Sequence, residues 1–190
     1  MSDAVTYETN GHVDTITMNK PDRMNRLDAE IVDALHQSWK RFMATAGERV
    51  AVVAGNGRAF SAGADLNAIP HDLYRAIPGI GVSVDKPVVA AVQGWCVGGG
   101  MVLTTMCDLM VAADDAMFSY PEVKIGFSGG LISNLASRIP HKIAMELTAS
   151  LMFRLLFHDG PDRPGVNSQG ALTRGPNDNR VNVQFPQARP

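Results

Sequence analysis

The chain has 190 residues, 45% of them apolar, a formal net charge of −2 and a mean hydropathy near zero. That length supplies one good hydrophobic core, so a single globular domain is expected. Acids and bases are interspersed, which excludes the basic stripe of a nucleic-acid binder, and the longest apolar stretch, from Trp95 to Cys107, is broken by three glycines and falls short of the ~20 residues of a membrane span.

The first residues, with Asp3, Glu8 and Asp14 among them, lack the basic-then-apolar layout of a secretory leader, and a cytoplasmic protein is expected. Val13-Asp14-Thr15-Ile16-Thr17-Met18 alternates apolar and polar as a strand with one buried face, ended by the turn residues Asn19-Lys20-Pro21-Asp22. Asp28 is a fitting N-cap for a helix in which Ile31, Leu35, Trp39 and Phe42 recur at helical spacing until Gly47. Val50-Ala51-Val52-Val53-Ala54 is a continuous apolar run suited to a strand covered on both faces, closed by Gly55-Asn56-Gly57. Lys86-Pro87 leads into a second such run, Val88-Val89-Ala90-Ala91-Val92; residues 99–107 read as a small-residue helix, and Leu109-Met110-Val111-Ala112-Ala113 as another buried strand. Strand, glycine turn, helix, strand is the order of an α/β fold.

Gly129-Gly130 is expected to open a helix through Leu131, Leu135 and Ile139, and Pro140 suits the first turn of a further helix from His141 to Leu147. Residues 151–157 are apolar enough either to prolong that helix or to lie exposed. From Asp159 the chain is rich in Pro, Gly, Asn, Gln and Arg with no period of 2 or 3.6. The expected division is a core over residues 1–147 and a divergent, largely disordered tail over 148–190. Cys96 and Cys107 have no CxxC spacing and no local histidine pair, so reduced, buried thiols and no metal site are expected.

Two glycine-bearing turns carry the chemistry. In Phe60-Ser61-Ala62-Gly63-Ala64-Asp65-Leu66, Gly63 permits a sharp bend and the small Ala62 and Ala64 let a ligand approach the backbone, with Ala64 N–H as donor. In Gly94-Trp95-Cys96-Val97-Gly98-Gly99-Gly100, the glycines open a helix whose unpaired N–H groups and positive dipole end favour an anion, with Gly99 N–H as partner. Taken alone, such a glycine run serves tight turns and close helix packing as readily. Glu122, in Tyr120-Pro121-Glu122, can move a proton beside them; its plain alternative is a turn cap or surface pair.

Ala59-Phe60-Ser61-Ala62-Gly63-Ala64-Asp65-Leu66, Lys86-Pro87-Val88-Val89-Ala90-Ala91-Val92-Gln93-Gly94, Gly98-Gly99-Gly100 with Cys107-Asp108, and Phe118-Ser119-Tyr120-Pro121-Glu122 together resemble the crotonase (enoyl-CoA hydratase/isomerase) superfamily, as do Asn19-Lys20-Pro21 and Asn25-Arg26-Leu27. The likeness runs from about Val5 to about Leu147. It implies a spiral of ββα units that binds acyl-CoA, with the thioester oxygen between the N–H groups of Ala64 and Gly99, and with coenzyme A present as part of the substrate rather than as a resident cofactor. Ala62, Ala64 and Leu66 match positions along the adenine and pantetheine path, Gly98 belongs to the second turn, and Lys20 and Arg23 fall where relatives place bases against the CoA phosphates, unless they are plain surface charge. Glu122 matches the family's acid/base glutamate.

Two departures bear on the reaction. Val102 stands where hydratases of the family carry a second, water-holding glutamate; valine can do neither job, and loss of a positioned acid/base group removes ~10²–10⁴ in rate. The resemblance therefore leans to isomerase-like chemistry with one carboxylate, and its rival is a catalytically degenerate acyl-CoA-binding or assembly protein. Asp65, Asp108 and Asp115 read as turn braces, His71 and His141 as loop and helix-start residues, and Ser61, Ser119 and Ser128 lack a histidine at motif spacing. The second departure is the loss of likeness near Thr148, where relatives continue into helices that close the acyl pocket and build trimers; the usual C-terminal helices are expected to be lacking, and the trimer-based homo-oligomer weakened.

Overall fold

Val5–Asn10 (β1) and Val13–Met18 (β2) pair antiparallel across a turn at Gly11, and β2 turns Asp14, Ile16 and Met18 inward as its alternation requires. This computed structural model describes residues 3–122, 130, 132, 135–150 and 153–154. β1 has no counterpart among the expected elements. Helix α1 (Ala29–Ala44) begins as predicted, with the Asp28 carboxylate accepting Ile31 N–H at 2.9 Å, and its Ile31, Leu35, Trp39 and Phe42 are wholly buried. At its far end Lys86 Nζ donates to the Phe42 and Thr45 carbonyls at 2.6 and 2.7 Å, a cation on the carbonyl end of the helix dipole. Trp39 Nε1 donates to the Ala76 carbonyl at 2.8 Å and ties the 3₁₀ turn Leu73–Ala76 to α1.

Strands β3 (Val50–Gly55), β5 (Val88–Val92) and β7 (Leu109–Ala112) run parallel to β2 in a sheet ordered β1-β2-β3-β5-β7. A second sheet holds β4 (Ala59–Ser61), β6 (Trp95–Val97), β8 (Met117–Ser119) and β9 (Phe153–Arg154) in the order β4-β6-β8-β9, the first three parallel and β9 antiparallel to β8. Each of β3, β5 and β7 is thus followed at once by a short strand of the second sheet before the chain crosses back. After β6 the crossing is helix α2 (Gly99–Met106). This is the expected α/β spiral of strand pairs and crossings, with the core between the sheets and α1.

Several expectations change. β7 was expected to be a buried strand, yet Leu109 and Val111 are 65% and 66% exposed; it ends its sheet among the described residues, and its residues line an open cavity with Leu135, Ile139, Ile143 and Leu147. The helix expected from Gly129 is, among the described residues, only α3 (Leu135–Arg138); Gly129 and Leu131 lie outside them. Helix α4 (His141–Ser150) runs past the expected boundary at 147/148, with the Pro140 carbonyl accepting from Ile143 and Ala144 N–H at 2.9 and 3.0 Å. Phe153 and Arg154 neither prolong that helix nor stand apart; they form β9. Residues 155–190, and with them most of the expected tail, lie outside the described residues, as does Ser128. No described helix is long and apolar enough to cross a membrane.

Candidate active site

The first turn is shaped by a parallel bridge between Leu27 and Ala64. In a parallel bridge one residue makes both hydrogen bonds, and here it is Leu27: its N–H donates to the Gly63 carbonyl at 2.8 Å and its carbonyl accepts from Asp65 N–H at 3.4 Å. A trans peptide directs Ala64 N–H opposite to the Gly63 carbonyl, hence away from Leu27. Among the described residues no acceptor takes it.

The second turn faces the first. Gly98, at φ +50° and ψ −113°, precedes α2; its N–H donates to the Ser119 carbonyl at 2.9 Å and its carbonyl accepts from Val102 N–H at 3.0 Å. Committing that carbonyl to the helix turns the Gly99 N–H outward at the helix start, where no described acceptor meets it. Gly63 (φ +84°) makes the approach of the turns possible: a Cβ there would lie 2.7 Å from the Val97 carbonyl oxygen and 3.4 Å from Gly99 N. A Cβ on Gly99 would in turn lie 3.7 Å from Ala64 N. The two unpaired donors therefore border one gap, and such a pair is the equipment for stabilising an oxyanion.

Glu122 follows β8 and is packed against Gly98, where a Cβ would collide with Oε1 and lie 3.3 Å from Cδ. Its Oε2 is buried without a hydrogen-bond partner among the described residues, and burial pushes the carboxyl above the usual glutamate range. Val102, one turn into α2, is buried at 7% exposure and carries no polar group. The other acids are engaged in bracing: Asp65 takes Asn67 N–H and pairs with Arg26 at 3.1 Å, Asp108 takes Val88 N–H at 2.8 Å, and Asp115 takes Gly94 N–H at 3.4 Å. His71 and His141 are exposed. Cys96 and Cys107 are buried free thiols, each pushed up to about 12 by burial.

The structure brings Ala64, Gly98, Gly99 and Glu122 together. Ala62 lies in the first turn with its N–H on the Met24 carbonyl at 2.8 Å, and Leu66 is 68% exposed just beyond it. Lys20 is drawn elsewhere: Asp28 and Glu30 both hold its Nζ at 2.6 Å, which ties it to the start of α1. Arg23 is exposed in the 3₁₀ turn Pro21–Arg23. Sequence reading missed two side chains at the gap. Leu27 Cδ1 and Leu73 Cδ2 come within 3.0 and 3.7 Å of a Cβ on Gly99. Leu27 stood in a quoted motif without a role, whereas Leu73 had no local signal at all.

The family model for enoyl-CoA hydratase/isomerase matches residues 8–152, so the chain belongs to the enoyl-CoA hydratase/isomerase family, the crotonase superfamily of acyl-CoA enzymes. Among individual proteins it is similar to the (E)-benzylidenesuccinyl-CoA hydratase of Thauera aromatica, 34% identical over 75% of this chain and 60% of that protein, and to a putative enoyl-CoA hydratase of Thermus thermophilus, 37% identical over 72% and 60%. Among solved structures, a probable enoyl-CoA hydratase/isomerase from Mycobacterium abscessus superposes with a TM-score of 0.70 at 32% identity, over 81% of this chain and 64% of that one. A putative short chain enoyl-CoA hydratase from Novosphingobium aromaticivorans gives a TM-score of 0.68 at 35% identity, over 78% and 61%. The chain thus spans about 60% of the length of the curated relatives it matches.

Proposed function

We propose that the chain acts on an acyl-CoA thioester by proton transfer through an enolate, with Ala64 and Gly99 N–H on the thioester oxygen and Glu122 as the acid/base. The observation that carries this reading is the conjunction of two N–H groups on facing turns that no described acceptor takes with a carboxylate beside them whose Oε2 is buried and has no partner among the described residues. Each donor supplies ~2.7–4 kcal/mol of transition-state stabilisation, comparable with the ~10²–10⁴ in rate that a positioned acid/base carboxylate adds. Glu122 removes a proton from C2 of a 3-enoyl thioester, the negative charge spreads to the oxygen, and the protonated Glu122 returns the proton at C4. The product is the 2-enoyl thioester, and no water is consumed.

The lean to isomerisation rests on Val102. Hydration by two carboxylates needs a second oxygen ligand for water, and Val102 has none to offer, although the names of the relatives are mostly those of hydratases. Coenzyme A enters as part of the substrate, along Ala62, Ala64, Gly98 and Leu66, with Lys20 and Arg23 toward its phosphates. Because Asp28 and Glu30 already neutralise Lys20, Arg23 carries the larger share of that contact.

The test is proton–deuterium exchange of a 3-enoyl-CoA in D₂O with product analysis. Exchange with a 2-enoyl product, abolished by Glu122→Gln while thioester binding persists, is the expected result. Equal turnover by that variant refutes the role of Glu122, a 3-hydroxyacyl product refutes the isomerase lean, and thioester binding without exchange in the unaltered chain identifies a binding protein instead of an enzyme.

A further inference from the structure

We propose that Ser61, seated on Asn25, is a positioning residue that sets the direction of both oxyanion donors; this rests on the reading of Ala64 and Gly99 given above. Ser61 and Asn25 are both wholly buried. The single hydroxyl proton of Ser61 goes to the Asn25 carbonyl at 2.8 Å, and its oxygen accepts from Gly63 N–H at 3.1 Å, so its capacity as donor is used once and as acceptor at least once. Gly63 N–H is held by Ser61 and the Gly63 carbonyl by Leu27. With both peptide planes around Gly63 pinned, the Ala64 N–H has no freedom left in direction.

The same side chain supports the second donor. A Cβ on Gly100 would lie 2.7 Å from Ser61 Cβ and 3.1 Å from Oγ, so the first turn of α2, which carries Gly99 N–H, rests directly on Ser61. Asn25 makes this seat rigid. It adopts φ +50°, a left-handed conformation that asparagine tolerates better than most side chains. Its Oδ1 accepts from Lys20 N–H at 2.9 Å and its Nδ2 donates to the Asn56 and Ala59 carbonyls, each at 2.9 Å. Residues 24–27 each hold a residue of the turn at 61–65: the Met24 carbonyl takes Ala62 N–H, the Asn25 carbonyl takes Ser61 Oγ, Arg26 pairs with Asp65, and Leu27 holds Gly63. The N–H left over from this template is that of Ala64. Position 61 therefore requires a hydroxyl for a reason of geometry, with no nucleophile chemistry involved.

The test uses the full chain and butyryl-CoA labelled with carbon-13 at the thioester carbonyl, a saturated thioester that undergoes no net reaction. Isotope-edited infrared spectroscopy reads the carbonyl stretch, which falls when two N–H groups polarise it. Ser61→Ala is expected to lose at least half of that downshift while butyryl-CoA affinity stays within about threefold, and kcat for deuterium exchange is expected to fall about tenfold to a hundredfold with KM nearly constant. A full downshift and undiminished kcat in Ser61→Ala overturn the proposal and leave the oxyanion reading standing. Absence of a downshift in the unaltered chain overturns the oxyanion reading itself. If Ser61→Ala does not fold, Ser61→Cys keeps the space filled with a weakly hydrogen-bonding sulfur and is read by the same band: a reduced downshift supports the positioning role, an unchanged one refutes it.

Discussion

Replacing Gly98 by alanine puts a methyl group where the structure has the Glu122 carboxylate. The new Cβ would collide with Oε1 and sit 3.3 Å from Cδ and 3.6 Å from Oε2. Restoring an ordinary nonbonded separation moves the carboxylate by about 1 Å, and a misplacement of about 1 Å at a reacting group costs about 10²-fold in rate. Alanine at φ +50° and ψ −113° also occupies a region that L side chains avoid, a strain of about 1–3 kcal/mol. At about 2–4 °C per kcal/mol for a chain of this size, that strain lowers the unfolding midpoint by about 2–12 °C. Gly98→Ala is therefore expected to fold, to bind thioester, and to exchange deuterium about a hundredfold more slowly with KM little changed. Gly47, where an added Cβ meets nothing within 4 Å and φ is ordinary, is the control: Gly47→Ala leaves the rate unchanged and does not lower the midpoint. Exchange by Gly98→Ala within twofold of the unaltered chain, measured by NMR with scanning calorimetry alongside, refutes the placement of Glu122 against Gly98.

Burial raises the folded-state pKa of Glu122, so its exchange rate climbs with pH through a limb above the usual carboxylate range, and that limb is absent from a pH–rate profile of Glu122→Gln. For stability the sign is opposite: between the unfolded and the raised folded value the native state binds more protons, so stability falls as pH rises through that window, and Glu122→Gln raises the unfolding midpoint at pH 7 relative to the unaltered chain. Arg23→Ala is expected to weaken coenzyme A binding several-fold at low salt and less at high salt, whereas Lys20→Ala chiefly loosens the start of α1; calorimetric titration in two salt concentrations separates them, and equal losses refute the division. Leu35→Ala, at a wholly buried position of α1, costs about 2–5 kcal/mol in denaturant unfolding.

How much of this was legible depended on the range of the interaction behind each feature. Asp28 with its 3.6-residue apolar stripe declared α1 because capping and helix periodicity are local. β5 was declared by an unbroken apolar run in the same way. β7 has the same kind of run and the opposite environment, since whether an apolar strand is central or at an edge is decided by its neighbours and not by its own residues. Phe153–Arg154 was likewise undecidable from an apolar heptapeptide, and pairing with β8 resolved it as a strand.

At the candidate site, sequence alone marked two glycine-bearing turns and the glutamate that follows them, and their likeness to the crotonase motifs is what joined them into one site. The tertiary structure decided which donors remain unpaired, that Gly98 meets Glu122, that Asp28 and Glu30 engage Lys20, and that Leu27 and Leu73 flank the gap. The physical reason is that an unpaired N–H or a desolvated carboxylate is defined by what surrounds it in space. The surroundings of Ala64 come from residues 24–27, those of Gly99 from Ser61, and those of Glu122 from Gly98, each more than twenty positions away along the chain.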